Sequence, residues 1–236
     1  YGTTVFGGIS RMETAARCPL MQFLQYGLGL KKREEFVIEP VDTGRILHQS
    51  LERFSKNLQK KGLSWRDFTP EEGQALAREA LQDTASSYND LLMYSTKRSE
   101  AQLARMEQIL IRTADTLQYQ LQKGKFDPEG FEYSFGPGGE ADMITFPLRE
   151  GRWLKLVGRI DRLDLCRQDD SVFVKILDYK SGSNDLKEDL MRRGLQLQLI
   201  MYMNAVLKDL AAANPGKEIL PAAMLYYKIT DAVLDS

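Results

Sequence analysis

The chain has 236 residues, of which 43% are hydrophobic and 28% are charged, and its formal net charge at pH 7 is -1. This length and apolar content can bury a sizeable core, as one large domain or as a compact domain with an appended helical part. The near-neutral charge excludes a strongly basic protein, so nucleic-acid binding would depend on a local groove or on metal ions. The sequence has no run of about 18 apolar residues, so no membrane span is predicted.

The chain start and the cysteines indicate the cellular compartment. Residues 1–4 match neither a signal peptide nor an initiator methionine. We therefore expect a cytoplasmic protein and a segment of a longer chain. Cys18 and Cys166 form no disulfide framework. Without a Cys-x-x-Cys motif to supply metal-binding partners, Cys18 is interpreted as a small buried hydrophobe.

The first predicted helix begins near Ser10. Ser10 precedes Glu13 by three residues, which is the pattern of a capping box with Ser10 as the N-cap. The helix is expected to be interrupted near Pro19, because proline cannot donate to the helical hydrogen-bond ladder.

The next predicted helix begins near residue 42 and carries Leu47, Leu51 and Phe54 on its apolar face. His48 is the only histidine of the chain and flanks that face. Its position is typical of a packing residue or hydrogen-bond donor, and a metal or phosphate ligand is the alternative. Two long helices with solvated charged faces are predicted to follow, over 70–93 and 97–122.

Short strands are predicted from residue 126 onward. In residues 130–136, Phe131, Tyr133 and Phe135 alternate on one face and Glu132 lies on the other. Two further alternating stretches, residues 153–166 and 172–177, are predicted as a hairpin.

The predicted hairpin brings two acids together. With a tight turn in the middle of the polar segment between the strands, Asp161 lies opposite Asp178, about 4.5 to 5.5 Å away at Cβ. Two opposed carboxylates repel each other unless a cation or proton lies between them, and hard oxygen ligands suit Mg²⁺ or Mn²⁺. Lys180 lies two positions after Asp178 and shares its face. The alternative is a solvated hairpin in which Arg159, Arg162 and Lys180 neutralise the acids.

An apolar helix is predicted from residue 195 to about 213, and a last strand over 220–227. Gln198 and Tyr202 are four residues apart, so they share one helix face. Their polar ends either grip a phosphate or nucleotide, or satisfy each other at the rim of a core.

The order of these elements predicts an α+β fold, with a small mixed central sheet flanked by helices. We expect two domains, a helical part over 1–125 and a core over 126–236.

Six motifs in the chain together resemble the RecB-like branch of the PD-(D/E)XK nuclease superfamily, and in particular its AddB-type nuclease domains. They are Arg-Cys-Pro at 17–19, Gly44-x-x-x-His48, Glu132 on a strand, Gly-Arg-Ile-Asp-Arg at 158–162, Asp-Tyr-Lys-Ser-Gly at 178–182, and Gln198-x-x-x-Tyr202. The motifs occur in the family's order through nearly the whole chain, although residues 64–124 contribute little.

The resemblance implies a restriction-endonuclease-like core and a metal-dependent deoxyribonuclease. The implied Mg²⁺ or Mn²⁺ ligands are His48, Glu132, Asp161 and Asp178. Lys180 would position or activate the attacking water. The implied substrate-binding residues are Arg159, Gln198 and Tyr202.

The resemblance also implies partners and a second cofactor. The substrate would be single-stranded DNA, degraded by an exonuclease in double-strand-break repair and recombination, with an AddA-like helicase-nuclease partner subunit. In AddB-type proteins one cysteine before the nuclease core and three after it hold a [4Fe-4S] cluster, and the first would be Cys18. One thiolate cannot hold such a cluster, so we expect it only in a longer chain.

A second interpretation is a catalytically silent nucleic-acid-binding or scaffolding domain with the nuclease fold. Silent relatives are expected to lose an acid or the lysine, whereas all of these residues are present here. The enzyme is therefore the favoured interpretation.

Overall fold

The structure, a computed structural model, describes residues 3–30, 40–93, 96–181 and 185–229. In these ranges it is an α+β fold, which confirms the predicted fold class. The helices are α1 (Ile9–Arg17), α2 (Pro19–Gln22), α3 (Pro40–Lys60), α4 (Pro70–Met93), α5 (Lys97–Lys123), α6 (Glu188–Arg192) and α7 (Gln198–Ala213). The strands are β1 (Thr4–Gly8), β2 (Asp127–Phe135), β3 (Ile144–Pro147), β4 (Trp153–Arg167), β5 (Ser171–Lys180) and β6 (Glu218–Lys228). None of the described helices is long and apolar enough to cross a membrane.

The N-terminal helices follow the prediction in one respect and differ in another. The chain breaks at Cys18 between α1 and α2, as expected for the proline that follows. The predicted capping box is wrong, because Gly8 is the N-cap and Ser10 lies inside α1. Glu13 instead binds a distant part of the chain, as described below.

The described strands form one mixed six-stranded sheet around β4. The sheet order is β1-β4-β5-β6, and β2 and β3 also pair with β4. The first half of β4 pairs in parallel with β1 and antiparallel with β3. The N–H of Glu218 donates to the carbonyl of Asp170 and that of Ile229 to Lys180, so β5 and β6 run in the same direction.

The β4–β5 hairpin has the predicted register. The antiparallel ladder pairs Arg162 with Leu177 and Asp164 with Lys175. Continued by one residue, the same register places Asp161 opposite Asp178.

The chain divides into two compact units. The first comprises Tyr1–Glu34, Glu129–Asp178 and Asp185–Tyr226, and the second comprises Glu35–Pro128, Tyr179–Asn184 and Tyr227–Ser236. The two domains expected from the sequence, 1–125 and 126–236, stay a prediction.

Each unit has its own apolar core. In the first unit, α7 packs on the sheet, and its buried residues are Leu199, Tyr202, Met203 and Val206. They join the buried strand residues Leu163, Leu165, Val172, Val174 and Ile176. In the second unit, the rings of Phe54, Trp65 and Phe68 contact one another, with centroids 5.0 to 6.1 Å apart.

Candidate active site

The acids of the hairpin lie at the end of the apolar face that α7 covers. Asp161 lies two and four residues before the buried Leu163 and Leu165, and Asp178 lies two residues after the buried Ile176. Side chains two apart share a face of a strand. Asp178 is only 2% exposed, and Asp161 is half-buried. The site therefore occupies the rim of the core.

The other face of the hairpin carries a buried ion triad. The guanidinium of Arg162 donates to both carboxylate oxygens of Asp164, at 2.6 and 3.0 Å. The amine of Lys175 lies 2.7 Å from the same carboxylate. The alternative hypothesis had Arg162 neutralising the hairpin acids, whereas its guanidinium pairs with Asp164.

The N-terminal turn of α7 supplies a polar side chain to the buried acid. Gln198 Nε2 lies 2.8 Å from Asp178 Oδ1 and 3.3 Å from the hydroxyl of Tyr202. The bond between the two side chains agrees with the interpretation that their polar ends satisfy each other at the rim of a core. Their grip on a phosphate or nucleotide stays a prediction.

Negative charges in this region contribute to raised pKa values of two tyrosines, Tyr202 and Tyr226. Burial raises the pKa of Tyr202, hydrogen bonds from Gln198 and the Arg159 backbone oppose this, and the charges of Asp178 and Asp161 add to it. Burial, followed by the charges of Asp178 and Glu13, raises the pKa of Tyr226 to about 12. Both hydroxyls are protonated near neutral pH. Asp161 and Asp178 both lie close enough to Tyr202 for their charges to raise its pKa.

Glu132 lies on β2 with an unusual backbone. Its φ of 54° is in the left-handed region, which non-glycine residues rarely adopt and which is often found at functional sites. Its carboxylate forms an ion pair with the guanidinium of Arg159. Arg159 was predicted to bind substrate and Glu132 to bind metal, and in this structure the two neutralise each other.

The other two predicted site residues, His48 and Lys180, belong to the second unit. The ring of His48 contacts that of Tyr179 edge-on, with centroids 5.7 Å apart. Lys180 ends β5, and its carbonyl accepts the N–H of Ile229. Gly44 is packed against Ser181, since a Cβ on Gly44 would meet the Ser181 Cβ at 3.0 Å. The Gly44-x-x-x-His48 motif thus packs on the residues that flank Lys180.

The hairpin acids fit a magnesium ion as a partial ligand set. In the described ranges, no group of three His, Cys, Asp or Glu side chains is arranged to hold a metal, and Glu132 is engaged with Arg159. Mg²⁺, however, is usually bound by one or two carboxylates, with waters and substrate phosphates completing its shell. Asp161 and Asp178 supply two carboxylates of this kind.

Cys18 lies at the start of α2. Its Sγ accepts the N–H of Met21 at 3.4 Å, so it caps this short helix. It is half-buried, which differs from the buried hydrophobe expected from the sequence. Its role as an iron-sulfur ligand in a longer chain stays a prediction.

Sequence reasoning missed two residues of this region, Glu13 and Tyr226. Glu13 Oε1 accepts the backbone N–H groups of Leu197 and Gln198, at 2.6 and 3.0 Å. Its position three residues after Ser10 predicted a capping-box bond within the first helix instead. Tyr226 lies on the last strand, and nothing in its neighbourhood in the sequence indicates a link to the acids.

Gly158 makes the close packing of this region possible. A Cβ at this position would lie 2.7 Å from a ring carbon of Tyr202 and closer still to the ring of Phe135. We expect Gly158→Ala to lower the free energy of unfolding by about 1 to 3 kcal/mol, as overpacking does. Urea denaturation measures the loss.

The matched control is Gly7→Ala on β1. There a new Cβ meets nothing closer than 3.9 Å, at Arg11 Cδ, so stability should change by less than about 1 kcal/mol. Equal losses in the two variants would contradict the packing role of Gly158.

Comparison with known protein families matches residues 9–235 to the PD-(D/E)XK nuclease superfamily. The chain therefore belongs to this superfamily, and the resemblance found in the motifs is confirmed.

Individual relatives narrow the similarity to one kind of protein, an ATP-dependent helicase/deoxyribonuclease subunit of the AddB type. The one from Lachnoclostridium phytofermentans is 38% identical over 234 residues, which cover 99% of this chain and 19% of that protein. The one from Listeria monocytogenes is 36% identical over 227 residues, or 96% of this chain and 20% of that protein. The one from Alkaliphilus oremlandii is 34% identical over 234 residues, with coverages of 99% and 20%. The chain thus spans about a fifth of the length of these curated relatives.

Proposed function

We propose that this chain is a metal-dependent deoxyribonuclease domain that hydrolyses phosphodiester bonds. The observation that carries the proposal is the pair of acids on the hairpin, with Asp178 held by Gln198. Hydrolysis of a phosphodiester needs a nucleophilic water near neutral pH and a counter-charge for the developing negative charge. A bound Mg²⁺ or Mn²⁺ supplies both, as a Lewis acid that lowers the pKa of its water.

The residues of the first unit have distinct roles in this proposal. Asp161 and Asp178 hold the metal, and Gln198 fixes the orientation of Asp178. Tyr202 accepts hydrogen bonds from Gln198 and from the Arg159 backbone, so its own O–H is a donor for a phosphate oxygen of the scissile strand. The O–H keeps its proton near neutral pH, because the ordinary pKa of tyrosine is about 10 and burial raises the pKa of Tyr202 further.

Glu132 and Arg159 act as an exchangeable pair in the proposal. The side chain of Arg159 is 64% exposed and that of Glu132 is 13% exposed. A DNA phosphate would draw the exposed guanidinium away, since arginine binds phosphate in a bidentate manner. Glu132 would then be able to hold the metal with the two hairpin acids, and His48 is the fourth ligand that the resemblance implies.

The finer features of the function rest on the resemblance and on the relatives. We propose single-stranded DNA as the substrate, exonuclease action, and a role in double-strand-break repair and recombination. The relatives are named as subunits of an ATP-dependent helicase/deoxyribonuclease, which supports an AddA-like helicase-nuclease partner.

The experiment that tests the proposal is hydrolysis of end-labelled single-stranded DNA by the purified protein with Mg²⁺, with Mn²⁺ and with EDTA. Cleavage that requires the metal and releases mononucleotides or short products from an end is the expected result. Metal-independent cleavage would contradict the assigned chemistry. Internal cleavage of a circular single strand would contradict exonuclease action.

Lys180→Ala is expected to lower the turnover number about a hundredfold or more, because general acid–base groups contribute on this scale. Binding of Mn²⁺ should be nearly unchanged, since the acids are intact. The two measurements are single-turnover cleavage and Mn²⁺ titration followed by electron paramagnetic resonance. Lys217→Ala, in the exposed turn before β6, is the control and should keep full activity. Equal loss of metal binding in Lys180→Ala and Asp178→Ala would contradict the separate roles.

The second candidate is a silent nucleic-acid-binding or scaffolding domain. The Glu132–Arg159 ion pair favours it, because this pair neutralises a predicted metal ligand. DNA binding by the folded protein without metal-dependent cleavage would support this candidate over the nuclease.

A further inference from the structure

Glu13 joins two helices that are far apart in the sequence. It lies in α1, and its Oε1 accepts the N–H groups of Leu197 and Gln198, at 2.6 and 3.0 Å. One carboxylate oxygen therefore binds two successive backbone donors at the start of α7. Bonds from N–H groups to a charged acceptor are stronger than those to a neutral one.

The start of α7 needs such an acceptor. The first N–H groups of a helix have no partner within the helix, and a capping side chain usually supplies one. The N-cap of α7 is Leu197, which has no polar side chain and makes no cap hydrogen bond. Glu13 takes that place from another helix, and its negative charge is favourable at the positive end of the helix dipole.

The same turn of α7 carries the side chain that orients the buried acid. Gln198 is bound by Glu13 through its backbone and donates its side-chain amide to Asp178 Oδ1, 2.8 Å away. Fixing the backbone of Gln198 fixes the direction in which its side chain leaves the helix. The contacts thus form a continuous path from Glu13 through Gln198 to Asp178.

We propose that Glu13 is a positioning residue of the nuclease site, which sets the orientation of Asp178 by holding Gln198 at the start of α7. The proposal rests on the nuclease function proposed above. Glu13 touches neither of the hairpin acids through the bonds described, so its effect on catalysis passes through Gln198.

The first test compares two substitutions. Glu13→Ala removes the acceptor, and we expect turnover to fall roughly five- to tenfold, the scale of a lost helix cap. The Mn²⁺ dissociation constant, measured directly by paramagnetic resonance, should rise a few-fold, and KM for DNA should stay within about twofold. Glu13→Gln keeps a carbonyl oxygen for both N–H groups, so it should restore turnover to within about threefold of the wild type.

The second test is a double-mutant cycle with Gln198→Ala. Because Glu13 acts through Gln198, Glu13→Ala should change turnover and Mn²⁺ affinity by less than about twofold when Gln198 is already absent. A role in stability alone predicts the same loss in both backgrounds. Additive effects would therefore overturn the proposal, as would an unchanged Mn²⁺ affinity in Glu13→Ala.

The control and the wild type separate this proposal from the proposed function. Glu107→Ala removes an acid whose carboxylate pairs with Arg78 between two helices, and it should leave turnover unchanged. If the wild type shows no metal-dependent cleavage, the nuclease function fails. If the wild type cleaves and Glu13→Ala equals Glu107→Ala in all measurements, only the role of Glu13 fails. Where Glu13→Ala does not fold, the cycle is run with Glu13→Asp, which keeps the favourable charge at the start of α7 but whose shorter side chain reaches the two N–H groups less well. A smaller loss of turnover should then appear, and it should vanish in the Gln198→Ala background.

Discussion

Asp178→Asn should abolish metal-dependent DNA cleavage, with a loss on the order of a thousandfold or more. The substitution keeps the shape of the side chain and an oxygen that can accept the Gln198 amide, which lies 2.8 Å from Oδ1 in the structure. It removes the negative charge of a group that is 2% exposed. A neutral amide is a poor ligand for Mg²⁺, which takes carboxylates and waters. Single-turnover cleavage measures the loss of activity, and Mn²⁺ titration measures the loss of metal binding.

The control for this prediction is Asp170→Ala. Asp170 is an exposed acid in the turn of the same hairpin, and its described bond to Glu218 is made by its backbone carbonyl. This variant should cleave DNA at the wild-type rate. The prediction is wrong if Asp178→Asn binds Mn²⁺ with wild-type affinity, or if Asp170→Ala loses as much activity.

The hairpin was predictable because its determinants are local. Alternating apolar residues define both strands, and the polar segment between them sets the turn, so the register follows from counting. A shift of one residue would move Asp178 and its buried neighbours to the other face. The same counting placed Tyr179 on the face opposite Asp178, where the structure has it in contact with His48.

The contacts of the acids were not predictable in the same way. Glu13 has a local interpretation as a capping-box residue, and the structure uses it 184 residues away, at Leu197. Arg159 and Glu132 lie on different strands, and nothing in the sequence indicates that they pair. Long-range side-chain pairs depend on how elements pack, which periodicity does not encode.

The partner of Arg162 is another contact that was not predicted from the sequence. Counting along β4 places Arg162 beside Asp161, and the alternative hypothesis used it to neutralise that acid. In the structure its guanidinium binds Asp164, two residues along on the same face, with Lys175 on the facing strand. The hairpin thus separates its charges by face, with the compensated acid on one side and the candidate metal ligands on the other.

Asp164→Ala should lower the free energy of unfolding by about 3 to 5 kcal/mol, the cost of removing one partner of a buried ion pair. Asp164 is fully buried and Arg162 is 1% exposed, so water cannot replace the lost carboxylate around the guanidinium. Lys175→Met should cost less, because the side chain of Lys175 is 19% exposed and the Arg162–Asp164 pair stays. Urea denaturation monitored by circular dichroism measures each loss.

A double replacement decides whether the stability lost in Asp164→Ala comes from the charge of Arg162 that has lost its carboxylate. Arg162→Met combined with Asp164→Leu removes both fully buried charges and fills the space with apolar atoms, while the ammonium of Lys175, whose side chain is 19% exposed, keeps access to water. Stability should therefore recover to within about 2 kcal/mol of the wild type. Both substituted side chains point away from the face that carries Asp161 and Asp178, so DNA cleavage should recover with the fold. A double variant less stable than Asp164→Ala would show that the triad contributes net stability through its bonds, and that the charge of Arg162 is not the source of the loss.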